Sequence, residues 1–243
     1  MKAFILAAGL GTRLKPWTLS HPKALVPVGD VPMLGRVIEN LNRQGIDDIT
    51  LNIHHFGDQI LDFLKENNLS TVKVSDERNE LLDTGGALLH ASPYLCADSR
   101  PILVHNVDII SNADFRQLLK AHVERESDIT LLVSDRESSR KLIFDSDLNL
   151  RGWHYLSTGE MKPTGMSLEP GFKEFAFSGI YIVSPSVVLR MGEDGFSGKF
   201  SIIDYFIAQC GNKKIKGYLE PNLKLIDIGK PETLARAQLL FEE

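Results

Sequence analysis

Residues 3–8 form an unbroken apolar run, Ala3-Phe4-Ile5-Leu6-Ala7-Ala8, that stops abruptly at Gly9-Leu10-Gly11-Thr12. So short a run, closed by glycine, reads as a buried strand. The loop beyond it carries Arg13, Lys15 and, past a proline-rich segment, Lys23. Glycine reaches positive φ and lets the main chain approach a ligand with no Cβ in the way, so such a loop can bring bare N–H groups and fixed cations to one anion. Two standard phosphate loops do not fit. A dinucleotide fingerprint needs a third glycine where Leu14 stands, and a P-loop needs a closing Gly-Lys-Ser/Thr that is absent.

The pattern that follows alternates. Met33, Leu34, Val37, Ile38 and Leu41 recur at helical spacing, with Gly45 placed as the stop. Residues 49–53 read as a buried strand, Ile60, Leu61 and Leu64 as a helix ending near Asn67-Asn68, and residues 72–75 as a third strand. Residues 83–87 carry a Gly-Gly pair and lead into a short helix before Pro93. Then come an apolar strand at 101–106, a helix through Phe115, Leu118, Leu119 and His122, and a strand at 129–133. Strands alternating with helices predict parallel pairing through right-handed crossovers. Beyond about residue 135 the pattern changes, with segments 141–144 and 148–153 flanking Asp145-Ser146-Asp147 as a hairpin. Residues 155–173 are rich in glycine and proline and read as a flexible loop at the mouth of a site. A strand at 175–183, a helix from Phe200 capped by Ser201, strands at 215–219 and 224–226, and a closing helix from Pro231 to Phe241 complete the chain.

With 243 residues, 43% of them hydrophobic and 24% charged, the composition is that of an ordinary globular protein, and one domain is expected. The net charge of −5 is spread along the chain, which argues against a nucleic-acid or anionic-membrane surface. No apolar run approaches the roughly 20 residues of a membrane helix, and cytoplasm is the expected location. Cys96 and Cys210 lack a C-x-x-C partner and read as reduced structural thiols. His54 and His55 are neighbours on opposite faces with no third ligand nearby, so a structural or ligand-lining pair is expected rather than a metal site.

The order Gly-x-Gly-Thr-Arg-Leu-x-Pro, a threonine, then Pro-Lys-x-Leu-x-Pro-Val is met at Gly9, Gly11, Thr12, Arg13, Leu14, Pro16, Thr18, Pro22, Lys23, Leu25, Pro27 and Val28. It resembles the opening of the sugar-1-phosphate nucleotidyltransferases. The resemblance implies an α/β, three-layer Rossmann-like nucleotidyltransferase fold with a central mixed, mostly parallel sheet. It divides residues 1–243 into a nucleotide-binding half over about 1–135 and a sugar-binding half over about 136–243. It implies transfer of a nucleoside monophosphate from a nucleoside triphosphate to a sugar 1-phosphate, with release of pyrophosphate, by a monomer or homodimer. Arg13, Lys23 and Asp108 would be catalytic, and Asp108 and Asp227 would hold Mg²⁺. The nucleotide would meet Leu6, Ala7, Ala8, Gly9, Gly11, Thr12, Arg13, Glu77, Gly85 and Gly86; the sugar would meet Asn106, Ser178 and Gly179.

On position alone Asp108 suits a turn or cap before the helix that begins after Asn112, and Asp227-x-Gly229 is a common turn. The resemblance is what makes them metal ligands. This chain departs from the family at Val107, where a glycine is usual, and at Lys230, where a threonine is usual. It also lacks an intact Glu-Lys-Pro, since Glu160-Met161-Lys162-Pro163 breaks the spacing and leaves the role of Lys162 open. Leu81-Leu82-Asp83-Thr84-Gly85-Gly86 resembles the form in N-acetylmuramate-1-phosphate uridylyltransferases. UTP and N-acetylmuramate 1-phosphate are therefore the favoured substrates, with a heptose or mannose 1-phosphate guanylyltransferase as the alternative. Two other classes are a catalytically silent nucleotide-sugar sensor, disfavoured by the intact charge set, and a glycosyltransferase, whose expected Asp-x-Asp is met only at the hairpin turn 145–147.

Overall fold

The computed structural model describes residues 1–229 and 231–239. Lys230 and the expected helix end at Phe241 lie outside the described residues. In chain order the elements are β1 (Lys2–Leu6), β2 (Pro27–Val28), β3 (Val31–Pro32), α1 (Met33–Arg43), β4 (Ile49–Ile53), α2 (Gly57–Glu66), β5 (Lys73–Asp76), α3 (Asp83–His90), α4 (Ser92–Leu95), β6 (Ile102–Asn106), β7 (Ile109–Ser111) and α5 (Phe115–Glu124). The second half holds β8 (Ile129–Ser134), β9 (Arg140–Phe144), β10 (Leu150–Tyr155), β11 (Glu160–Lys162), β12 (Lys173–Val183), α6 (Pro185–Arg190), α7 (Ile202–Gln209), β13 (Ile215–Leu219), β14 (Leu225–Asp227) and α8 (Pro231–Leu239).

Among the described residues one sheet runs β11-β10-β9-β12-β6-β1-β4-β5, with β8 on the other edge of β12 and β13 beside β8. The pairs β5–β4, β4–β1, β1–β6 and β8–β13 are parallel, whereas β12 is antiparallel to both β6 and β8. The central sheet is thus mixed and mostly parallel, with β12 as the reversed strand. Alternation along β1 sends Ala3 and Ile5 into one apolar cluster, with α1, α2 and α5, and Phe4 into the other, with α3, α4, α6 and α7. Burial of a side chain such as Ile5 or Phe4 contributes about 1.5–3 kcal/mol, and helices on both faces complete the three layers. In β4 the same alternation puts Ile49, Leu51 and Ile53 in the first cluster, so the buried polar side chains of Thr50 and Asn52 take the opposite face.

Three local differences from the sequence reading have physical causes. Residues 160–162, expected within a loop, form β11, because a turn at Gly159 (φ +72°) returns the chain so that Glu160–Lys162 pair with Tyr155, His154 and Trp153 of β10. Asp108 does not cap the helix after Asn112. Asp114 does, its Oδ1 accepting from Arg116 N at 2.9 Å and Gln117 N at 3.1 Å, and the short strand β7 separates the two aspartates. Strand β12 changes register between Phe177 and Tyr181, where Gly179 has φ +73°. It pairs with β6 only from Ile180 onward, so the sheet splits beyond His105 and a crevice opens past the end of β6.

Candidate active site

The crevice is a cavity of about 430 Å³ walled by Leu6, Gly9, Gly11, Thr12, Asn106 and Asp108, among others. Its floor is built by the opening loop. Gly11 has φ +60°, and a Cβ there would lie 2.8 Å from Lys23 Cβ and 2.9 Å from Thr18 Cγ2, so only glycine lets the loop close on the Pro22-Lys23 segment. The buried Thr18 hydroxyl donates to Gly11 O at 2.9 Å, and Leu14 N donates to the same carbonyl at 2.8 Å. That closure delivers Lys23 Nζ to Oδ2 of Asp108 in a short ion pair, both side chains 13% exposed. A pair so sheltered from water is screened little and loses much if one partner is removed.

Asp108 and Asp227 are brought together by backbone. Strand β14 pairs antiparallel with β7, Asp227 opposite Ile109, and Ile228 N donates to Asp108 O at 2.9 Å. Gly229 N donates to Asp227 Oδ1 at 2.9 Å. A methyl group at Gly229 would lie 2.8 Å from Arg13 Nη2, 2.9 Å from Asp227 Oδ1 and 3.1 Å from Asp108 Oδ2. Three charged side chains from distant parts of the chain therefore converge on one bare Cα. Two carboxylates and no sulfur or nitrogen ligand make a hard, all-oxygen donor set that fits a divalent cation sharing its remaining positions with phosphate oxygens and water. Among the described residues no third acidic, histidine or cysteine side chain joins them. Val107, where a glycine is usual in the family it resembles, turns its side chain into the core and donates its N–H to Leu6 O at 3.2 Å, so its Cβ does not obstruct the cavity.

At the other end, Glu77 lines the cavity while only 3% exposed. Its Oε1 accepts from Asn52 Nδ2 at 3.0 Å, and its Oε2 is buried with no hydrogen-bond partner among the described residues. Burial pushes its carboxyl up to about 7, partly offset by the Asn52 hydrogen bond and by an approach of the Leu82 backbone. His54 Nδ1 meets Glu77 O at 2.7 Å and His55 packs on Phe56, so the histidine pair is structural.

Several expected contacts take other tasks. Ala7 N and Ala8 N donate to Asn52 Oδ1 at 2.7 and 3.2 Å, although Ala8 still lines the cavity. Gly85 N and Gly86 N donate to Phe200 O at 3.0 and 3.3 Å, and neither residue reaches the cavity wall. Their lack of a side chain serves packing: a Cβ at Gly85 would strike the Phe200 ring at 2.2 Å, and one at Gly86 would strike Gly198 O at 2.2 Å. Ser178 is fully buried, and Gly179 presses on Asn106, where a Cβ would come within 2.8 Å of Nδ2. These two shape the crevice by bending β12 and buttressing Asn106, which does line it. Lys162 sits away from the cavity, over the Trp153 ring at 5.5 Å and 3.8 Å from Asp204.

Sequence reasoning missed Asn52 and Lys199 on the cavity wall, and had Leu81, Asp83 and Thr84 only as part of the 81–86 loop motif. Asn52 had a signal, a polar residue in the otherwise apolar strand Ile-Thr-Leu-Asn-Ile. Lys199 had none. Its place depends on the segment 198–202 being joined to the loop at residues 81–86: Phe200 N donates to Leu82 O at 3.2 Å and Ile202 N to Thr84 Oγ1 at 2.9 Å.

A family profile described as nucleotidyl transferase matches residues 2–243. An N-acetylmuramate alpha-1-phosphate uridylyltransferase of Caulobacter vibrioides is 25% identical over 252 residues, covering 99% of this chain and 97% of that protein. A mannose-1-phosphate guanyltransferase of Yarrowia lipolytica is 31% identical over 194 residues, covering 77% of this chain and 50% of that one. The chain thus spans about half the length of the curated guanylyltransferases it matches. The crystal structure of HddC from Yersinia pseudotuberculosis complexed with GMP-PN superposes with a TM-score of 0.77 at 27% identity, over 99% of each chain.

Proposed function

The chain belongs to the nucleotidyl transferase family, and from that premise we propose that it joins a nucleoside triphosphate to a sugar 1-phosphate, releasing pyrophosphate. We propose further that the substrates are UTP and N-acetylmuramate 1-phosphate. The observation that carries the reaction is the convergence of Arg13, Asp108 and Asp227 on Gly229, with Lys23 held on Asp108.

An oxygen of one phosphate must attack the α-phosphorus of a polyanion, so alignment and charge repulsion are the obstacles, and positioned charges are the remedy. Lys23, a compact charge, faces the α-phosphate or the incoming sugar phosphate. Arg13, with a planar fork of donors, grips the departing β,γ-phosphates. The N–H groups of residues 9–12 remain for the triphosphate, since those of Ala7 and Ala8 are held by Asn52. Asp108 and Asp227 would hold Mg²⁺, which when bound supplies charge neutralisation between the two phosphates.

The choice of UTP rests on the end-to-end likeness to the Caulobacter uridylyltransferase and on the loop at residues 81–86. A second reading, a guanylyltransferase for mannose or heptose 1-phosphate, is favoured by the guanylyltransferases at 31–33% identity and by the neighbour solved with GMP-PN. Pyrophosphate release with Mg²⁺, crossing UTP, GTP, CTP and dTTP against N-acetylmuramate, N-acetylglucosamine, heptose, mannose and glucose 1-phosphates, decides between them. The expected result is release with UTP and N-acetylmuramate 1-phosphate, abolished by EDTA. Turnover confined to GTP would establish the second reading, and silence throughout from a nucleotide-binding protein would overturn both.

A further inference from the structure

Asn52 stands at the penultimate position of β4, 3% exposed, and its side chain makes three hydrogen bonds. Oδ1 accepts from the first two donors after β1, Ala7 N and Ala8 N, and Nδ2 donates to one oxygen of Glu77. The partners fix the orientation of the amide, because the two N–H groups require the oxygen and the carboxylate requires the nitrogen. Glu77 is in turn fixed at its backbone, N donating to Ile53 O at 2.9 Å. Its second carboxylate oxygen is buried with no hydrogen-bond partner among the described residues beyond the approach of the Leu82 backbone to the carboxyl, and Glu77 is one of the residues that line the cavity. A buried carboxylate oxygen short of donors is costly, and in a residue that lines a cavity it is an acceptor that a ligand N–H can satisfy.

We propose that Asn52 is a positioning residue for nucleotide selection. By holding Oε1 of Glu77 and the Ala7 and Ala8 N–H groups with one carboxamide, it presents Oε2 of Glu77 to a base that carries an imino N–H. It thereby links the choice of base to the fixed start of the phosphate loop. Uracil N3 and guanine N1 bear that hydrogen; cytosine N3 and adenine N1 offer a lone pair instead and meet repulsion. The inference rests on the nucleotidyl transfer reading and adds the residue that enforces the base class.

The arrangement makes a test by exchange possible. In Glu77→Gln, Asn52 Nδ2 holds the new carbonyl and turns the new NH₂ to the base, so the site becomes a donor. In Asn52→Asp, the Ala7 and Ala8 N–H groups keep their acceptor, but two carboxylates now face each other. In the double variant the amide and carboxylate have changed places: the NH₂ of the amide at position 77 meets the carboxylate at position 52, and the carbonyl of that amide returns to the base. Dissociation constants for UTP, GTP and CTP are measured by titration calorimetry on the full chain at pH 8 with Mg²⁺ and no sugar phosphate, alongside Tm and the KM for sugar 1-phosphate.

The wild-type protein is expected to favour UTP or GTP over CTP. Asn52→Asp is expected to bind the favoured nucleotide about 10- to 100-fold more weakly, as befits loss of a buried charge-assisted hydrogen bond. Glu77→Gln is expected to move its preference toward CTP, and the double variant to recover the wild-type preference, with the sugar-phosphate KM unmoved throughout. A purely structural Asn52 would shift Tm and leave the base preference alone. Folded single variants with wild-type preference, or a double variant no better than Asn52→Asp, would overturn the proposal; if Asn52→Asp does not fold, the preference of Glu77→Gln decides. A wild-type chain that binds none of the three nucleotides overturns the nucleotidyl reading and this inference with it, whereas binding with unaltered preference in the variants overturns this inference alone.

Discussion

Gly229→Ala tests the assembly of the site through a single methyl group. The added carbon would sit 2.8 Å from Arg13 Nη2, 2.9 Å from Asp227 Oδ1 and 3.1 Å from Asp108 Oδ2, and ordinary contact of about 3.4 Å requires withdrawals of about 0.6, 0.5 and 0.3 Å. All three atoms end flexible side chains, so the protein yields without unfolding, but it yields in the groups that matter. Catalytic groups need placement within about 0.5 Å, and misplacement by 1 Å costs on the order of 100-fold. With three groups displaced together, kcat/KM should fall by about 100-fold, or about 2.7 kcal/mol of transition-state stabilisation. Thermal unfolding should change by less than about 1 kcal/mol, since no backbone or core atom is struck. The assay is steady-state pyrophosphate release beside a melting curve. A folded Gly229→Ala protein whose kcat/KM stays within about 3-fold of wild type would refute the convergence argument.

Other consequences are open to direct measurement. Lys23→Ala should lower turnover by about 10²- to 10³-fold, the usual effect of losing one preorganised charge stabiliser, and a variant near full turnover would contradict the role given to Lys23. Because burial raises the Glu77 carboxyl from 4.5 to about 7, the folded state binds its proton more tightly than the unfolded state. The stability this supplies is complete below pH 4.5 and is lost as pH rises through 7, so the Tm of Glu77→Gln relative to wild type should be more favourable at pH 8 than at pH 5. Gly85→Ala should destabilise the fold by about 1–3 kcal/mol, since its Cβ would meet the Phe200 ring at 2.2 Å; an unchanged denaturant midpoint would show that contact to be slack. Lys199, exposed on the cavity wall with no ion-pair partner among the described residues, should when changed to Ala raise the KM of a phosphate substrate by up to about 10-fold and leave Tm unmoved.

What could be read from the sequence divides along the range of the interactions involved. Helix α1 and strand β4 were legible because their periodicity is local, and Arg13 and Lys23 because an ordered signature carried them, whereas Asp108 and Asp227 stood out only through the family resemblance. The path of the chain at 160–162 was not, since a composition rich in glycine and proline conceals a strand whose partner is chosen by a distant register. Gly85 and Gly86 illustrate the harder case: glycine announces that something comes close, and here it is the Phe200 ring and the Gly198 carbonyl, more than 100 residues later. Asn52 was visible only as a polar residue out of place, and its meaning required the carboxylate 25 positions away that it holds.

The junction between residues 82–86 and 198–202 bears on how such a chain can diverge. Four backbone N–H groups cross it, those of Gly85, Gly86, Phe200 and Ile202, and two of its contacts depend on side chains, the Thr84 hydroxyl that accepts from Ile202 N and the Phe200 ring against Gly85, so a change at one of these must be answered in the other segment. The strands β9, β10 and β11 share no described hydrogen bond with residues 82–86. A lineage is therefore freer to change in that three-stranded region, whereas the 198–202 segment is inherited together with the 82–86 loop it is joined to.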